Sequence, residues 1–381
     1  MTVIVIAPDS YKGSLSADVV ARAIESGIRR VLPHALIRCL PMADGGEGTV
    51  DTVLAACAGV LQRAVTADAL GGRHQVRFAV IEQDGQPCAV LEVAAVVGLP
   101  DAGGDVRQRS SLGVGELLRH CLDLGIRRVM VGLGGSSTND GGAGILAALG
   151  VKLLDIRSRP IAPTLADLER LDRLDFVDLD PRLRECEIVL LADVDNPLCG
   201  AHGATAVFGP QKGVAKTDID RYDRWIGCLA TLADTWVGQA ISAMPGTGAA
   251  GGIGYALRLL GARMESGASV MCGLQGIDRA VAEADWVLTG EGRSDAQTLH
   301  GKAPYQVAQR AQAAGKPVTL LSGAVRPADL ALLAPHFDGC FSVMPEPMAL
   351  HQAIAQAEGL VADAAEQLTR LRYGAAPPST P

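Results

Sequence analysis

Short apolar runs alternate with amphipathic segments near both ends of this chain. Val3–Ala7 is the first such run, and the segment 17–31 follows it with Val20, Ile24 and Ile28 at helical spacing. Further short apolar runs in the same rhythm stand at 36–40, 286–289, 318–321 and 339–343. A strand followed by a helix, repeated in this way, is typical of an α/β fold with a largely parallel sheet.

The middle of the chain has a different pattern and predicts a second sheet of mixed direction. Residues 63–97 are predicted to form antiparallel strands joined by turns at Gly71-Gly72 and Asp84-Gly85. Apolar runs at 128–132 and 188–193 lie further along and read as buried strands. At 381 residues the chain also exceeds the usual size of a single hydrophobic core, so two domains are expected.

These patterns predict one domain built from both ends of the chain and one inserted domain. Residues 1–61 and 284–373 are expected to form a doubly wound α/β domain with a parallel sheet. Residues 62–283 are expected to form a large inserted α/β domain with a mixed sheet. The last residues, 374–381, are rich in Pro and small residues and are predicted to be disordered.

Composition excludes several classes of protein. Charged residues make up 20% of the chain, aromatic residues 3%, and the net charge is −8, so neither a nucleic-acid surface nor an anionic-membrane surface is expected. No apolar stretch reaches membrane-spanning length, and the amino terminus is predicted to be a buried strand, not a signal peptide. Nine cysteines without a CxxC pair predict neither a zinc site nor a disulfide framework. We therefore expect a cytoplasmic protein.

Two loops that follow predicted strands near the amino terminus could carry chemistry. The first is Asp9–Gly13, in which Lys12 could neutralise a phosphate, the alternative being a solvated lysine. The second is Ala43–Thr49, where Asp44 and Glu47 stand among three glycines. Carboxylate oxygens beside exposed amides suit a Mg²⁺–phosphate group, although a tight turn before a helix is the alternative.

The run Gly132–Gly144 is the most informative segment. It carries six glycines, three hydroxyl side chains and the pair Asn139-Asp140 between a predicted strand and a predicted helix. Successive backbone amides in such a loop form an anion cradle. The loop is not of the Walker type, because no GxxxxGK[ST] motif occurs in the chain.

Two later loops add acidic and basic groups. Asp193 stands at a predicted strand end, where a carboxylate can act as a base, and Asn196 follows it as a polar contact or a turn former. Glu291, Arg293 and Asp295 alternate with other residues, so an extended segment would place all three on one side. Such an arrangement could hold an anion, or it could be a surface ion pair of little energetic value.

One motif is interpreted as a decoy. Gly246–Gly251 matches GxGxxG, but Met244-Pro245 precedes it instead of a strand. Close packing or a hinge is therefore favoured over dinucleotide binding. The seven histidines show no HxxxH spacing and no GxSxG motif is present, which argues against a histidine metal site and a hydrolase.

Taken together, these loops resemble the bacterial glycerate kinase type-1 family. Seven blocks of that family's pattern occur in order: Ala7–Ser16, Ala43–Thr49, Gly134–Gly142, Asp193–Gly200, Phe208–Gly213, Pro245–Gly252 and Thr289–Thr298. Each block is weak alone, but seven in order are strongly specific. The departures from the pattern are Tyr11, Ser137, Ser294 and Gln306, and none removes a charged or acid–base group.

The resemblance implies an enzyme that phosphorylates D-glycerate with ATP and Mg²⁺, usually at the 2-hydroxyl, to give 2-phospho-D-glycerate. It implies a two-domain α/β fold in which one part is flavodoxin-like and the other is an insertion. The alternatives are phosphorylation of the 3-hydroxyl, a kinase for a related hydroxy acid, and a non-catalytic sugar-acid-binding regulator. A monomer or a homodimer is expected, with the substrates as the only partners.

Phosphoryl transfer depends on positioning and charge neutralisation, which suggests roles for the loop residues. Asp193 is expected to accept the proton of the substrate hydroxyl, with Asp295 or Asp140 as alternatives, in a cleft between the domains. Lys12 and Lys212 are expected to neutralise the transferred phosphate, and Asp44 and Glu47 to hold Mg²⁺. The expected substrate-binding residues are Ser10, Asn196, Glu291, Arg293 and Asp295. The expected nucleotide-phosphate-binding residues are Gly134, Gly135, Ser136, Ser137, Thr138, Asn139, Asp140 and Gly141.

Overall fold

The computed structural model describes residues 1–99 and 103–374. In these ranges the strands are β1 (Val3–Ile6), β2 (Leu36–Cys39), β3 (Gly59–Ala67), β4 (Arg73–Gln83), β5 (Gln86–Glu92), β6 (Arg128–Gly132), β7 (Lys152–Leu154), β8 (Arg173–Asp175), β9 (Glu187–Leu191), β10 (Arg263–Glu265), β11 (Trp286–Thr289), β12 (Arg293–Ser294), β13 (Val318–Ser322), β14 (Ala324–Val325) and β15 (Gly339–Ser342). The helices are α1 (Ala17–Arg29), α2 (Thr49–Ala56), α3 (Val93–Val97), α4 (Leu112–Asp123), α5 (Ala143–Ala148), α6 (Leu165–Leu168), α7 (Ala204–Phe208), α8 (Ile219–Val237), α9 (Ile253–Leu259), α10 (Gly267–Leu274), α11 (Ile277–Ala282), α12 (Ala303–Ala313), α13 (Leu330–Leu333), α14 (Leu350–Ala355) and α15 (Ala357–Tyr373). The predicted disordered tail falls, after Gly374, outside the described residues.

Contacts divide the chain into two compact units. The first unit contains Met1–Asp44 and the residues from Ala268 onward, and the second unit is Gly45–Gly267. Helix α2 packs on β4 and β5 and so belongs to the second unit, whereas α11 packs on α12 in the first. The chain thus passes from the first unit to the second after Asp44 and returns to the first unit after Gly267.

The first unit has the flavodoxin-like sheet that the sequence predicts. Its five strands lie in the order β15-β13-β11-β1-β2, and each neighbouring pair is parallel. Numbered within this unit, the order is 2-1-3-4-5, that of the flavodoxin-like doubly wound folds. The order reverses between β1 and β11, which pair through Ile4 and Trp286. Ligands of such folds bind outside the carboxyl ends of the strands at this switch point.

Buried residues cover both faces of this sheet. Ile4, Ile6, Trp286 and Leu288 lie in one apolar cluster with residues of α1 and α15. Val5 points to the other face because side chains alternate along a strand, and it is also fully buried. A parallel sheet buried on both faces explains why its strands are short continuous apolar runs in the sequence.

Helix α1 shows how the sequence pattern becomes packing. Val20, Ile24 and Ile28 are all buried, as their helical spacing predicts. The helix packs closely on α15, and a Cβ atom on Gly27 would lie 2.0 Å from the carbonyl oxygen of Ala362. Because that distance is far below van der Waals contact, only glycine allows the two backbones to approach this closely.

The second unit has the predicted mixed sheet, in the order β10-β9-β6-β5-β4-β3. Strands β3, β4 and β5 are antiparallel, and β5, β6, β9 and β10 are parallel. The two-residue loop between β4 and β5 is Asp84-Gly85, with both φ angles positive, as a type I′ hairpin turn requires. No helix among the described residues is both long and apolar enough to cross a membrane.

Candidate functional site

In the first unit, the loops after β1 and β11 meet at the switch point of the sheet. The backbone N–H of Asp9 donates to the carbonyl oxygen of Gly290 at 2.8 Å. The Tyr11 hydroxyl donates to the carbonyl oxygen of Leu321 at 2.7 Å and so also ties this region to the end of β13. A Cβ atom on Gly290 would lie 1.7 Å from that same carbonyl oxygen, which explains the glycine.

Lys12 and Asp44 form an ion pair at this edge. The Lys12 Nζ lies 2.6 Å from Asp44 Oδ2, and the exposed fractions of the two side chains are 67% and 18%. The structure thus joins two residues that the sequence places in separate blocks, one after β1 and one after β2. Ser10, a predicted substrate contact, precedes this pair and is half-buried.

Asp9 is a residue of this site to which the sequence reasoning assigned no role. It is buried, with 4% of its surface exposed, and its Oδ1 accepts the backbone N–H of Ser10 at 2.6 Å. Burial, followed by the neighbouring Asp44 carboxylate, raises the pKa of Asp9 to about 7. The sequence signal that could have identified Asp9 is its position just after a predicted strand. The same argument identified Asp193 as a candidate base.

Because the folded protein holds a proton on Asp9 more tightly than the unfolded chain does, we expect stability to fall with rising pH. The loss begins near the ordinary aspartate pKa and is complete above about 7, where both states are ionised. A rise from 3.8 to about 7 corresponds to about 4 kcal/mol over that range. Asp9→Asn is expected to remove this pH-dependent loss.

Urea unfolding at pH 4.5 and pH 7.5 tests this expectation. Trp286 is buried in the first unit, so Trp225→Phe and Trp236→Phe would make its fluorescence specific for that unit. Asp363→Asn, at an exposed ion pair with Arg30, is the matched control and should leave the pH dependence unchanged. Equal pH dependence of the unfolding free energy in Asp9→Asn and the parent would contradict the expectation.

The loop after β11 carries Glu291, Arg293 and Asp295 in three different environments. The Glu291 carboxylate is buried and hydrogen-bonded within the unit, and Lys302 is its ion-pair partner. The Arg293 side chain is exposed, with its Nε 3.8 Å from Asp295 Oδ2. Asp295 also caps the following short 3-10 helix by accepting the backbone N–H of Gln297. Arg293 is therefore the member of this trio that is open to a ligand.

The second unit brings two glycine-rich blocks together. The backbone N–H of Gly134 donates to the carbonyl oxygen of Gly45 at 3.2 Å. A Cβ atom on Gly134 would lie 2.6 Å from the Cα of Gly46, so the two backbones touch. This contact places the predicted phosphate loop next to the segment that carries Glu47, a predicted magnesium ligand. Gly135 and Glu47 are both exposed.

The rest of the glycine-rich loop is buried and internally bonded. Asp140 accepts four hydrogen bonds, from the N–H and hydroxyl of Ser111 and from the N–H groups of Gly142 and Gly144. Burial raises the pKa of Asp140, and these donors act against that rise. Ser137 donates its hydroxyl to the carbonyl oxygen of Val97 at 2.8 Å. Asp140 therefore holds the start of α5 in place.

Lys212 lies against this loop from the inside. Only 3% of the residue is exposed, and its Nζ donates to Ser136 Oγ at 2.9 Å and to the carbonyl oxygen of Thr138 at 2.8 Å. Burial lowers the pKa of Lys212 to about 7. Arg109, which no motif indicates, donates to the carbonyl oxygens of Lys212 and Ser137. Two basic side chains thus support the loop.

Asp193 and Asn196 follow β9, as the sequence indicates. Asp193 is half-buried two residues beyond Leu191, the last residue of the strand. The Asn196 Nδ2 donates to the carbonyl oxygen of His202 at 2.8 Å. The segment Gly246–Gly251, which matches GxGxxG, packs against the glycine-rich loop. A Cβ atom on Gly251 would lie 2.0 Å from the carbonyl oxygen of Thr138. Close packing accounts for those glycines.

The donor set fits Mg²⁺ bound together with phosphates. The described residues contain no group of three His, Cys, Asp or Glu side chains arranged to hold a metal ion. Mg²⁺ usually takes only one or two carboxylates from the protein, and substrate phosphates and water complete its shell. Asp44 and Glu47 supply that number, with one Asp44 oxygen already on Lys12.

Comparisons with known proteins agree with the fold and the motifs. The model of the glycerate kinase family matches residues 4–373. A glycerate kinase from Halalkalibacterium halodurans is 38% identical over 372 residues, 97% of this chain and 97% of that protein. A glycerate 2-kinase from Escherichia coli strain K12 is 40% identical over 346 residues, 90% of each chain. A crystal structure named as that of a glycerate kinase 2 from Salmonella typhimurium LT2 has a TM-score of 0.83 at 40% identity, covering 97% of this chain and 98% of that one.

Proposed function

The chain belongs to the glycerate kinase family, and we propose that it transfers the γ-phosphoryl group of ATP to the 2-hydroxyl of D-glycerate. It is a kinase, as its relatives and structural neighbour indicate. The preference for the 2-hydroxyl follows the name of the Escherichia coli relative. The competing products are 3-phosphoglycerate and the phosphate of a related small hydroxy acid.

The observation that carries this proposal is the pair of exposed cations at the switch point of the first unit. Lys12 and Arg293 follow β1 and β11, the two strands between which the strand order reverses, and both side chains are two-thirds exposed. Glycerate is an anion, and the transferred group is a second one. A guanidinium suits a carboxylate, which it can bind through two parallel hydrogen bonds, and a lysine suits a phosphate as a point charge.

We assign the remaining roles from the loops in which the residues lie. Arg293 binds the glycerate carboxylate, and Ser10, Asn196 and Asp295 are assigned as further polar contacts of the substrate. Asp44 and Glu47 hold Mg²⁺, which neutralises phosphate oxygens when ATP is bound. The Gly134–Gly141 loop binds the nucleotide phosphates at its exposed residue Gly135, and Lys212 adds positive charge behind that loop.

The reaction is a direct displacement at phosphorus. Asp193 accepts the proton of the 2-hydroxyl as the hydroxyl oxygen bonds to the γ-phosphorus, and the bond from that phosphorus to the bridging oxygen breaks to release ADP. Lys12 lies beside the transferring group and offsets its negative charge.

One experiment tests both the activity and the position of transfer. We expect incubation of the protein with Mg²⁺, ATP and D-glycerate to yield ADP and 2-phospho-D-glycerate, identified by ³¹P and ¹H NMR. L-Glycerate is the matched control for the substrate. Accumulation of 3-phosphoglycerate would overturn the proposed transfer to the 2-hydroxyl, and the lack of any glycerate-dependent ADP would overturn the activity.

We further propose a cytoplasmic location and a monomer or homodimer.

A further inference from the structure

The carboxylate of Glu291 is bonded entirely within the first unit. Its Oε1 accepts the hydroxyls of Thr298 at 2.6 Å and Ser294 at 3.1 Å, and its Oε2 accepts the ammonium of Lys302 at 3.2 Å. Only 6% of the residue is exposed. We call Glu291, Ser294, Thr298 and Lys302 the Glu291 network.

The Glu291 network holds the backbone on both sides of Arg293. On one side, the N–H of Glu291 donates to Ser322 Oγ at 3.3 Å, and its carbonyl oxygen accepts the N–H of Gly323 at 3.0 Å. On the other side, the Thr298 hydroxyl accepts the N–H of Asp295 at 3.1 Å. Arg293 lies between these two fixed points, and its own strand β12 pairs with β14.

A direct contact between Glu291 and an anionic substrate would be unfavourable. The Glu291 carboxylate carries the same charge as a glycerate carboxylate, and its lone pairs already face two hydroxyls and an ammonium. Arg293, in contrast, has an exposed guanidinium. A long side chain binds a carboxylate through two hydrogen bonds only if its backbone is held at the right place and angle.

We infer that Glu291 is a positioning residue that acts on glycerate through Arg293, with Thr298 as the hydroxyl that locks it in place. The inference rests on the proposed function, because it takes Arg293 to bind the glycerate carboxylate. Under this inference Glu291 does not contact the substrate, contrary to the sequence prediction, but holds Arg293, which does.

Thr298 offers a matched pair of variants. Thr298→Val keeps the shape of the side chain and removes the hydroxyl that joins Glu291 to the N–H of Asp295, whereas Thr298→Ser keeps that hydroxyl. We expect Thr298→Val to raise the KM for glycerate about 10-fold with kcat within about 3-fold, since a displaced guanidinium weakens binding. Thr298→Ser should restore the parent KM. Glu366→Gln, at the Arg370–Glu366 ion pair of α15, is the matched control for the variant Glu291→Gln, which also removes a carboxylate.

A double-mutant cycle decides whether the effect passes through Arg293. In an Arg293→Met background, we expect Thr298→Val to change kcat/KM for glycerate less than 2-fold, because the group it positions is gone. Glu291→Gln is a second test with the same expected pattern, should Thr298→Val fail to fold. A loss of equal size in both backgrounds, or an unchanged KM in Thr298→Val, overturns the inference.

The same measurements separate this inference from the proposed function. If the parent enzyme forms phosphoglycerate and the cycle shows no coupling, only the positioning role of Glu291 is wrong. If the parent forms no phosphoglycerate, the proposed function is wrong and the inference falls with it.

Discussion

Asp193→Asn is expected to lower kcat for glycerate about 100- to 10,000-fold while glycerate binding changes little. Asparagine has nearly the same shape but cannot accept the hydroxyl proton, and general base catalysis contributes roughly that factor. Asp193 follows the carboxyl end of β9 and is half-buried, so part of the residue is open to a ligand. Steady-state kinetics with ADP detection measures the effect.

The structure weakens one rival for the role of base and leaves others to test. Asp140 has four internal hydrogen bonds to its carboxylate, so Asp140→Asn is a test of folding more than of catalysis. Asp295 caps a short helix but is partly exposed, and Asp9 is buried with a raised pKa. Near-normal turnover of Asp193→Asn, with a large loss in Asp295→Asn or Asp9→Asn, would contradict the assignment.

A neighbouring carboxylate provides the control for Asp193. Asp195 lies two residues further along the same loop and is exposed. Asp195→Asn removes the same charge from the same segment without removing the proposed base. We expect its kcat to stay within about 3-fold of the parent, the size of effect that a screened charge produces.

Lys12→Met is expected to lower kcat/KM about 100- to 1,000-fold and to change the free energy of unfolding by less than about 1 kcal/mol. The first effect has the size observed when a group that stabilises transition-state charge is removed. The second follows because the Lys12–Asp44 pair is largely exposed on the lysine side, and such pairs contribute little to stability. Kinetics and urea unfolding on the same preparations measure both.

The combination of a large kinetic effect with a small stability effect is the distinctive result. Lys316→Met is the matched control, because Lys316 precedes β13 and so lies at the amino edge of the same parallel sheet, opposite the strand ends of the proposed site. Its kcat/KM should stay near that of the parent. A Lys12→Met protein with normal kcat/KM, or one that loses activity only in proportion to unfolding, would contradict the role of Lys12.

The sequence predicts the bounds of some strands and turns more accurately than it predicts the surroundings of the site residues. The strands β6 and β11 begin and end at the residues that the apolar runs predict, 128–132 and 286–289. The Asp84-Gly85 turn is also where the sequence places it. Patterns of this kind depend on neighbours within a few residues, and hydrophobic period and turn chemistry are local properties.

The sequence by itself determined the α/β class, many of the strands, and the loops that carry the charged residues. It was wrong at 93–97, where it predicts a strand and the structure has helix α3. Only the tertiary structure decided that Glu291 faces a lysine and two hydroxyls, that Asp9 is buried beside Asp44, and that Lys212 lies behind a loop more than seventy residues away in the chain. Burial and hydrogen-bond partners come from segments far apart in sequence, and they determine whether an acidic side chain meets a substrate, holds a loop or keeps a proton.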